Sequence, residues 1–206
     1  MTKPISPPLI NTISAVILAG GRSQRMDEKD KGWIELNGKP LVEHTMQRLQ
    51  QQTSNILISA NRNLEQYRQL GSNIIVDQHP DFPGPLAGIY AALTQIETDW
   101  LLTVPCDTPL FPSDLLIRFI TELTEQPHRI AVARDEKYLQ PVFCLIHRSL
   151  SADLKTFLDE GGHKTGQWIR QNNPVEVLFN DSALQFFNIN SPDDLQQFNT
   201  ILKGSG

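Results

Sequence analysis

The sequence predicts an α/β protein, a three-layer domain whose mostly parallel sheet lies between helices. Three observations carry that expectation. Short apolar runs alternate with helix-period segments through the first half of the chain. The first run, ISAVIL at 13–18, ends at Gly20-Gly21. Three polar residues, Asn61, Asp77 and Asp107, each stand at or just beyond the end of an apolar run. Such alternation is the pattern of right-handed β-α-β units around a parallel sheet.

Residues 1–12, MTKPISPPLINT, carry three prolines and read as a flexible lead-in to a single domain over 13–203. ISAVIL is short, continuous and apolar, the mark of a strand buried on both faces. Pro40 opens PLVEHTMQRLQQQ as a residue suited to a first helical turn, with Leu41, Thr45, Met46 and Leu49 on one face. A strand at 55–59, a helix over 62–70 and a strand at 73–77 follow. After DFPGPLAG, the residues Leu86, Ile89, Tyr90, Leu93 and Ile96 form a helical stripe, and DWLLTVP at 99–105 is the next strand. Ser113 and Asp114 are start signals for a helix from about 112 to 125. Strands are expected at 129–133, 141–147, 175–179 and 183–189, and helices at 150–158, 165–171 and 192–202. The second half alternates less regularly than the first.

The chain has 206 residues, 39% hydrophobic and 20% charged, with a net charge of -5. That size fits one domain with a substantial core, and the acidic balance argues against a nucleic-acid partner. No apolar run approaches the roughly 20 residues of a membrane span, and the lead-in has no signal-peptide core, so a cytoplasmic, membrane-free protein is expected. Cys106 and Cys144 make neither a metal spacing nor a disulfide framework.

In an open α/β sheet, ligands bind beyond the carboxyl ends of the strands. Gly20 and Gly21 stand at that end of the first strand, where the lack of a Cβ lets a ligand approach the backbone. Arg22, Arg25, Lys29 and Lys31 follow closely, and backbone donors with clustered cations suit a polyphosphate. The run is not a Walker loop: Gly38-Lys39 is followed by Pro40, and Trp33 occupies the place of its first glycine. Nor is it G-x-G-x-x-G. A glycine turn before a solvated charged face would give the same letters. Asp107, past the 99–105 strand, suits Mg²⁺, which binds through one or two carboxylates plus substrate phosphates; a turn at Asp107-Thr108-Pro109 is the plainer reading. Asn61 and Asp77 carry the same two readings, ligand contact or loop and cap.

LAGGRSQRMDEKDKGWIELNGKPL resembles the signature of α/β nucleotidyltransferases. Asp30-Lys31-Gly32, SANR at 59–62, FPGPLAG at 82–88, PCDTP at 105–109 and NINSPDDL at 188–195 together resemble the MobA-type molybdenum cofactor guanylyltransferases. The resemblance implies a Rossmann-like nucleotidyltransferase domain, with a nucleotide half at about 13–110 and a second-substrate half at about 111–203. It implies transfer of GMP from GTP to molybdenum-loaded molybdopterin, with pyrophosphate released and a guanine dinucleotide cofactor formed. By the same resemblance Leu18, Ala19, Gly20, Lys31, Asn61, Asp77 and Asp107 bind the nucleotide. Asp107 also binds Mg²⁺, and Asp107, Lys31 and Arg25 are the catalytic set. A molybdoenzyme or a cofactor-biosynthesis protein is the implied protein partner. Asp27 departs from the family's glycine after Arg-Met.

By the same resemblance Gln140 falls in a second-substrate loop; Lys164 is a further candidate for that substrate, and Asn188 and Asn190 are candidates for that substrate or for the metal. His163-Lys164 and Arg170 fit a solvated helix start equally well, and Asn before Ser-Pro is also a helix-cap sequence. The alternatives are a cytidylyltransferase for the same pterin, a sugar-phosphate nucleotidyltransferase, and a GTP-binding regulator without catalysis.

Overall fold

β1 (Ile13–Leu18) is the spine of the molecule, and Ala15, Val16 and Ile17 on it have no solvent exposure. A strand so buried must be covered on both faces. In the computed structural model, which describes residues 8–19, 30–76, 84–126, 128–182 and 184–204, it lies within a seven-stranded sheet. Beside β1 run β4 (Ile56–Ser59) and β6 (Trp100–Pro105), both parallel to it, and β5 (Asn73–Ile75) lies parallel beyond β4. β8 (Leu139–His147) runs antiparallel to β6 and to β7 (Ile130–Arg134), and β9 (Val175–Leu178) closes the sheet parallel to β7. The order is β5-β4-β1-β6-β8-β7-β9. The expected α/β, three-layer, mostly parallel architecture is therefore present, with β8 the strand that reverses.

Side-chain alternation along β1 assigns the layers. Ile13, Ala15 and Ile17 face a cluster with Val42, Met46 and Leu49 of α1 (Leu41–Gln50) and Phe119 and Leu123 of α4 (Leu115–Glu125). Val16 faces the opposite cluster, with α3 (Pro85–Gln95), α5 (Ser151–Asp159) and α6 (Thr165–Gln171). A third, smaller core joins Leu36 and Leu41 to Leu184, Ile189 and Phe198, the last on α7 (Pro192–Gly204). α2 (Leu64–Arg68) is a single short helix whose one buried residue is Tyr67.

Two features differ from the sequence expectation. The strand expected at 183–189 is, over its described residues 184–189, a turn followed by irregular chain. Its apolar residues feed two cores, Phe186 packing on the first and Leu184, Phe187 and Ile189 on the third, and its backbone bonds are local or go to a loop: Phe187 N donates to Leu184 O at 3.1 Å and Ile189 N to Asp107 O at 2.8 Å. The second feature is an unforeseen hairpin of β2 (Glu35–Leu36) and β3 (Lys39–Pro40). Asn37 and Gly38 turn it with φ of 54° and 76°, the positive-φ pair that Asn-Gly favours in two-residue hairpin loops. The lead-in ends in a 3-10 turn at Ile10–Thr12.

Candidate active site

The parallel register sets the carboxyl ends of four strands side by side: Leu18 stands between Ser59 and Pro105, and Ser59 pairs with Ile75. Beyond that edge the chain stays bonded across the strands. Ala19 N donates to Ser59 O at 2.8 Å, Ala60 N to Ile75 O at 3.0 Å and Cys106 N to Leu18 O at 3.2 Å. Leu18, Ala19, Asn61 and Asp107 thus share one rim. Gly20, Arg25 and Asp77 lie outside the described residues. Gly88, in the first turn of α3, brings that helix against the same rim: a Cβ there would stand 2.5 Å from Ser59 Oγ and 3.0 Å from Leu18 Cδ2.

Asp107 is the buried carboxylate of the rim. Lys31 Nζ lies 3.5 Å from Asp107 Oδ2, with side-chain exposures of 25% and 12%, so the pair is only partly hydrated. Burial raises the Asp107 pKa above the usual carboxylate range, and Lys31 pulls it back in part. The same lysine ammonium donates to Asn190 Oδ1, Thr108 Oγ1 donates to Asn188 Oδ1, and Ile189 N donates to Asp107 O. Asn190 N in turn donates to Asp194 Oδ2 at 2.9 Å, which ties the segment to the start of α7. Lys31, Asp107 and the 188–190 segment therefore converge from three distant parts of the sequence. Asn188 and Asn190, expected to position the second substrate or the metal, stand here against Thr108 and Lys31.

Gln140 and Lys164 belong to another pair of segments. Gly166, at the start of α6, lies against Pro141, with its Cβ position 3.8 Å from the proline ring. The Gln140 amide donates to Asp135 Oδ2 at 2.7 Å. Lys164 lines an open cleft of about 480 Å³ with Phe157, Glu160, Gly162, His163 and Gln167. Cys106, next to Asp107, is a buried thiol whose pKa burial pushes well up, so it is packing and not a nucleophile.

Sequence reasoning overlooked Tyr67, Asn63 and Thr108. Tyr67 Oη and Asn63 Nδ2 both donate to the Asp30 carboxylate, at 2.7 and 3.1 Å. The one signal for Tyr67 was its place as the sole aromatic residue of a short helix, LEQYR.

A divalent cation fits this donor set. Among the described residues no three His, Cys, Asp or Glu side chains cluster as a self-sufficient metal site. What the rim offers is one buried carboxylate, short of positive charge for its depth, with amide oxygens beside it. Hard oxygen donors in small number, completed by substrate phosphates, are what Mg²⁺-type sites use.

Residues 15–175 match the MobA-like NTP transferase domain family. The molybdenum cofactor guanylyltransferase of Ralstonia nicotianae is 46% identical over 194 residues, 90% of this chain and 95% of that protein. That of Vibrio campbellii is 47% identical over 188 residues, covering 91% and 95%. Among solved structures, molybdopterin-guanine dinucleotide biosynthesis protein A from Archaeoglobus fulgidus superposes with a TM-score of 0.76 at 22% identity, over 93% of this chain and 99% of that one. A nucleotidyl transferase from Methanothermobacter thermautotroptrophicus gives 0.71 at 18% identity, over 95% and 100%, and both likenesses concern the fold. No helix among the described residues is long and apolar enough to cross a membrane. With a family match over most of its length and relatives this similar end to end, the chain belongs to the MobA-like NTP transferases, alongside the molybdenum cofactor guanylyltransferases.

Proposed function

We propose that the protein transfers GMP from GTP to the terminal phosphate of molybdenum-loaded molybdopterin, forming the guanine dinucleotide cofactor and releasing pyrophosphate. The observation that carries this reading is the convergence of Lys31, Asp107 and Asn190 on the carboxyl edge of the sheet. In the reaction, an oxygen of the pterin phosphate bonds to the α-phosphorus of GTP while the bond from that phosphorus to the β-phosphate oxygen breaks, and pyrophosphate leaves with its electron pair. A phosphate monoester already carries about −1.5 to −2 charge at neutral pH, so the attack needs no general base. The barrier lies in bringing two anions together in line.

This chain's residues answer that difficulty. Lys31 sets a cation against the phosphates, and Arg25 adds a second. The backbone of Leu18, Ala19 and Gly20 lets the triphosphate approach, and Asn61 and Asp77 help hold the nucleotide. Asp107 would hold Mg²⁺, with the Asn190 amide oxygen the next donor at hand. When bound, the metal neutralises phosphate charge and steadies the departing pyrophosphate. Gln140 and Lys164, from the second-substrate half of the domain, take the pterin, and Asn188 and Asn190 close the seam between the halves at about residue 110. A cytoplasmic location and hand-over to a molybdoenzyme, or receipt from a cofactor-biosynthesis protein, go with this role.

The test is pyrophosphate release from GTP, CTP and ATP, each with and without Mg²⁺ and molybdenum-loaded molybdopterin. Release confined to GTP with metal and pterin is expected, and chelation should abolish it. Release with CTP instead would overturn the base assignment. No release from a folded protein that binds GTP would favour a regulator.

A further inference from the structure

Lys31 carries much of the proposed chemistry, yet its own segment is only a 3-10 turn, Lys31–Trp33. What fixes that turn is the Asp30 carboxylate. Asp30 Oδ1 accepts from Gly32 N at 3.1 Å and from Tyr67 Oη at 2.7 Å, and Oδ2 accepts from Asn63 Nδ2 at 3.1 Å. Tyr67 is fully buried, and its ring packs on Trp33 with centroids 5.2 Å apart. Gly32 makes the approach possible, since a Cβ there would fall 2.4 Å from the Tyr67 oxygen. Burial holds the phenol far above its ordinary pKa, with the Asp30 charge adding to the effect, so Tyr67 remains a donor at any working pH.

The partners of Asp30 are not scattered. Asn63 stands two residues past Asn61, in the loop that leaves β4, and adopts φ 50° at the start of α2. One carboxylate therefore joins the turn that carries Lys31 to the loop that carries Asn61. Its three donors are neutral, and none belongs to the Asp107 cluster. Asp30 thus holds geometry and leaves the Lys31 charge to its own partners.

We propose that Asp30 is a positioning residue which, through Tyr67 and Asn63, locks Lys31 to the Asn61 loop, so that the two loops grip a nucleotide as one unit. The inference rests on the reading of Lys31 as a phosphate ligand. It gives α2 a task at the site.

A double-mutant cycle on the whole protein tests it, with GTP affinity measured by calorimetry for wild type, Tyr67→Phe, Lys31→Ala and the double variant. Tyr67→Phe keeps the ring on Trp33 and removes only the donor to Asp30. It should weaken GTP binding roughly three- to tenfold, the order of one hydrogen bond to a charged group acting at one remove. In the Lys31→Ala background the same change should cost less than about twofold, because the side chain being positioned is gone. A general loosening of the fold would instead multiply in both backgrounds, and that result would overturn the proposal, as would wild-type affinity in Tyr67→Phe. Should Tyr67→Phe fail to fold, Asn63→Gly keeps the positive φ, removes the other donor and runs through the same cycle. If Lys31→Ala alone binds GTP like wild type, the Lys31 reading fails and this one with it; if Lys31→Ala is weak but the effects multiply, only the Asp30 role is lost.

Discussion

Gly88→Ala offers a measurement whose sign is set by the structure. In an open helix position, replacing Gly by Ala stabilises by about 1 kcal/mol, because glycine is the poorer helix former. Gly88 is not open. Its new Cβ would sit 2.5 Å from Ser59 Oγ, 3.0 Å from Leu18 Cδ2 and 3.3 Å from Ser59 Cβ. The first contact is about 1 Å inside ordinary van der Waals separation, so α3 must lift or β4 must shift. Overpacking of this kind costs about 1–3 kcal/mol. Set against the propensity gain, a net loss of about 1 kcal/mol remains, which in a domain of this size lowers Tm by about 2–4 °C. Since Leu18 and Ser59 lie on the rim proposed to hold the nucleotide, the KM for GTP should rise with it. Thermal melts and steady-state kinetics on Gly88→Ala, Ser59→Ala and the pair decide the matter. Ser59→Ala removes the closest atom, so the double variant should recover most of the lost Tm. An increase of Tm in Gly88→Ala alone would refute the argument, for it would show that the helix already has room.

Asp107→Asn should separate stability from chemistry. Burial raises the Asp107 pKa, so the folded state binds its proton more tightly than the unfolded state does. The contribution of Asp107 to stability is then fully present below its unfolded pKa and is lost as pH rises through the raised folded pKa. Metal-free Asp107→Asn should therefore melt no lower than wild type at neutral pH, with the difference shrinking in acid, while turnover falls by roughly 10²–10³-fold. A variant less stable at neutral pH would show that the Lys31 pair outweighs burial. Phe198→Ala empties the centre of the third core and should cost about 3–5 kcal/mol. Urea titration measures the loss, and activity should fall because the 188–190 segment is no longer held on Asp107.

The parallel half of the sheet was legible because β1, β4 and β6 are continuous apolar runs, and the rim followed from where those runs stop. Leu18, Ala19, Asn61 and Asp107 could be placed beside one another on that ground alone. The pairing of Lys31 with Asn190 could not, since the two lie 159 residues apart and no periodicity links them. The reversal at β8 was hidden because its apolar run reads the same in either direction. The segment 183–189 misled because apolar residues divided between two cores imitate the density of a strand. The Asn37-Gly38 hairpin was there to be read, and the charges around it drew attention away. That the Gln140 amide donates to Asp135 carries no signal in the sequence either.

The return of the 188–190 segment onto Asp107 has a consequence for synthesis. A ribosome that has made the chain just past β6, through Asp107, has already produced the cation and the carboxylate. The amides that meet them arrive only after α6 and β9, when α7 docks its Phe198 under the β2–β3 hairpin. Until then a nascent chain holds Lys31 and Asp107 without their closing partners, and its rim stands open on that side. Completion of the rim thereby waits on the synthesis of Asn190 and α7, and a product truncated short of Asn190 lacks the latch that finishes it.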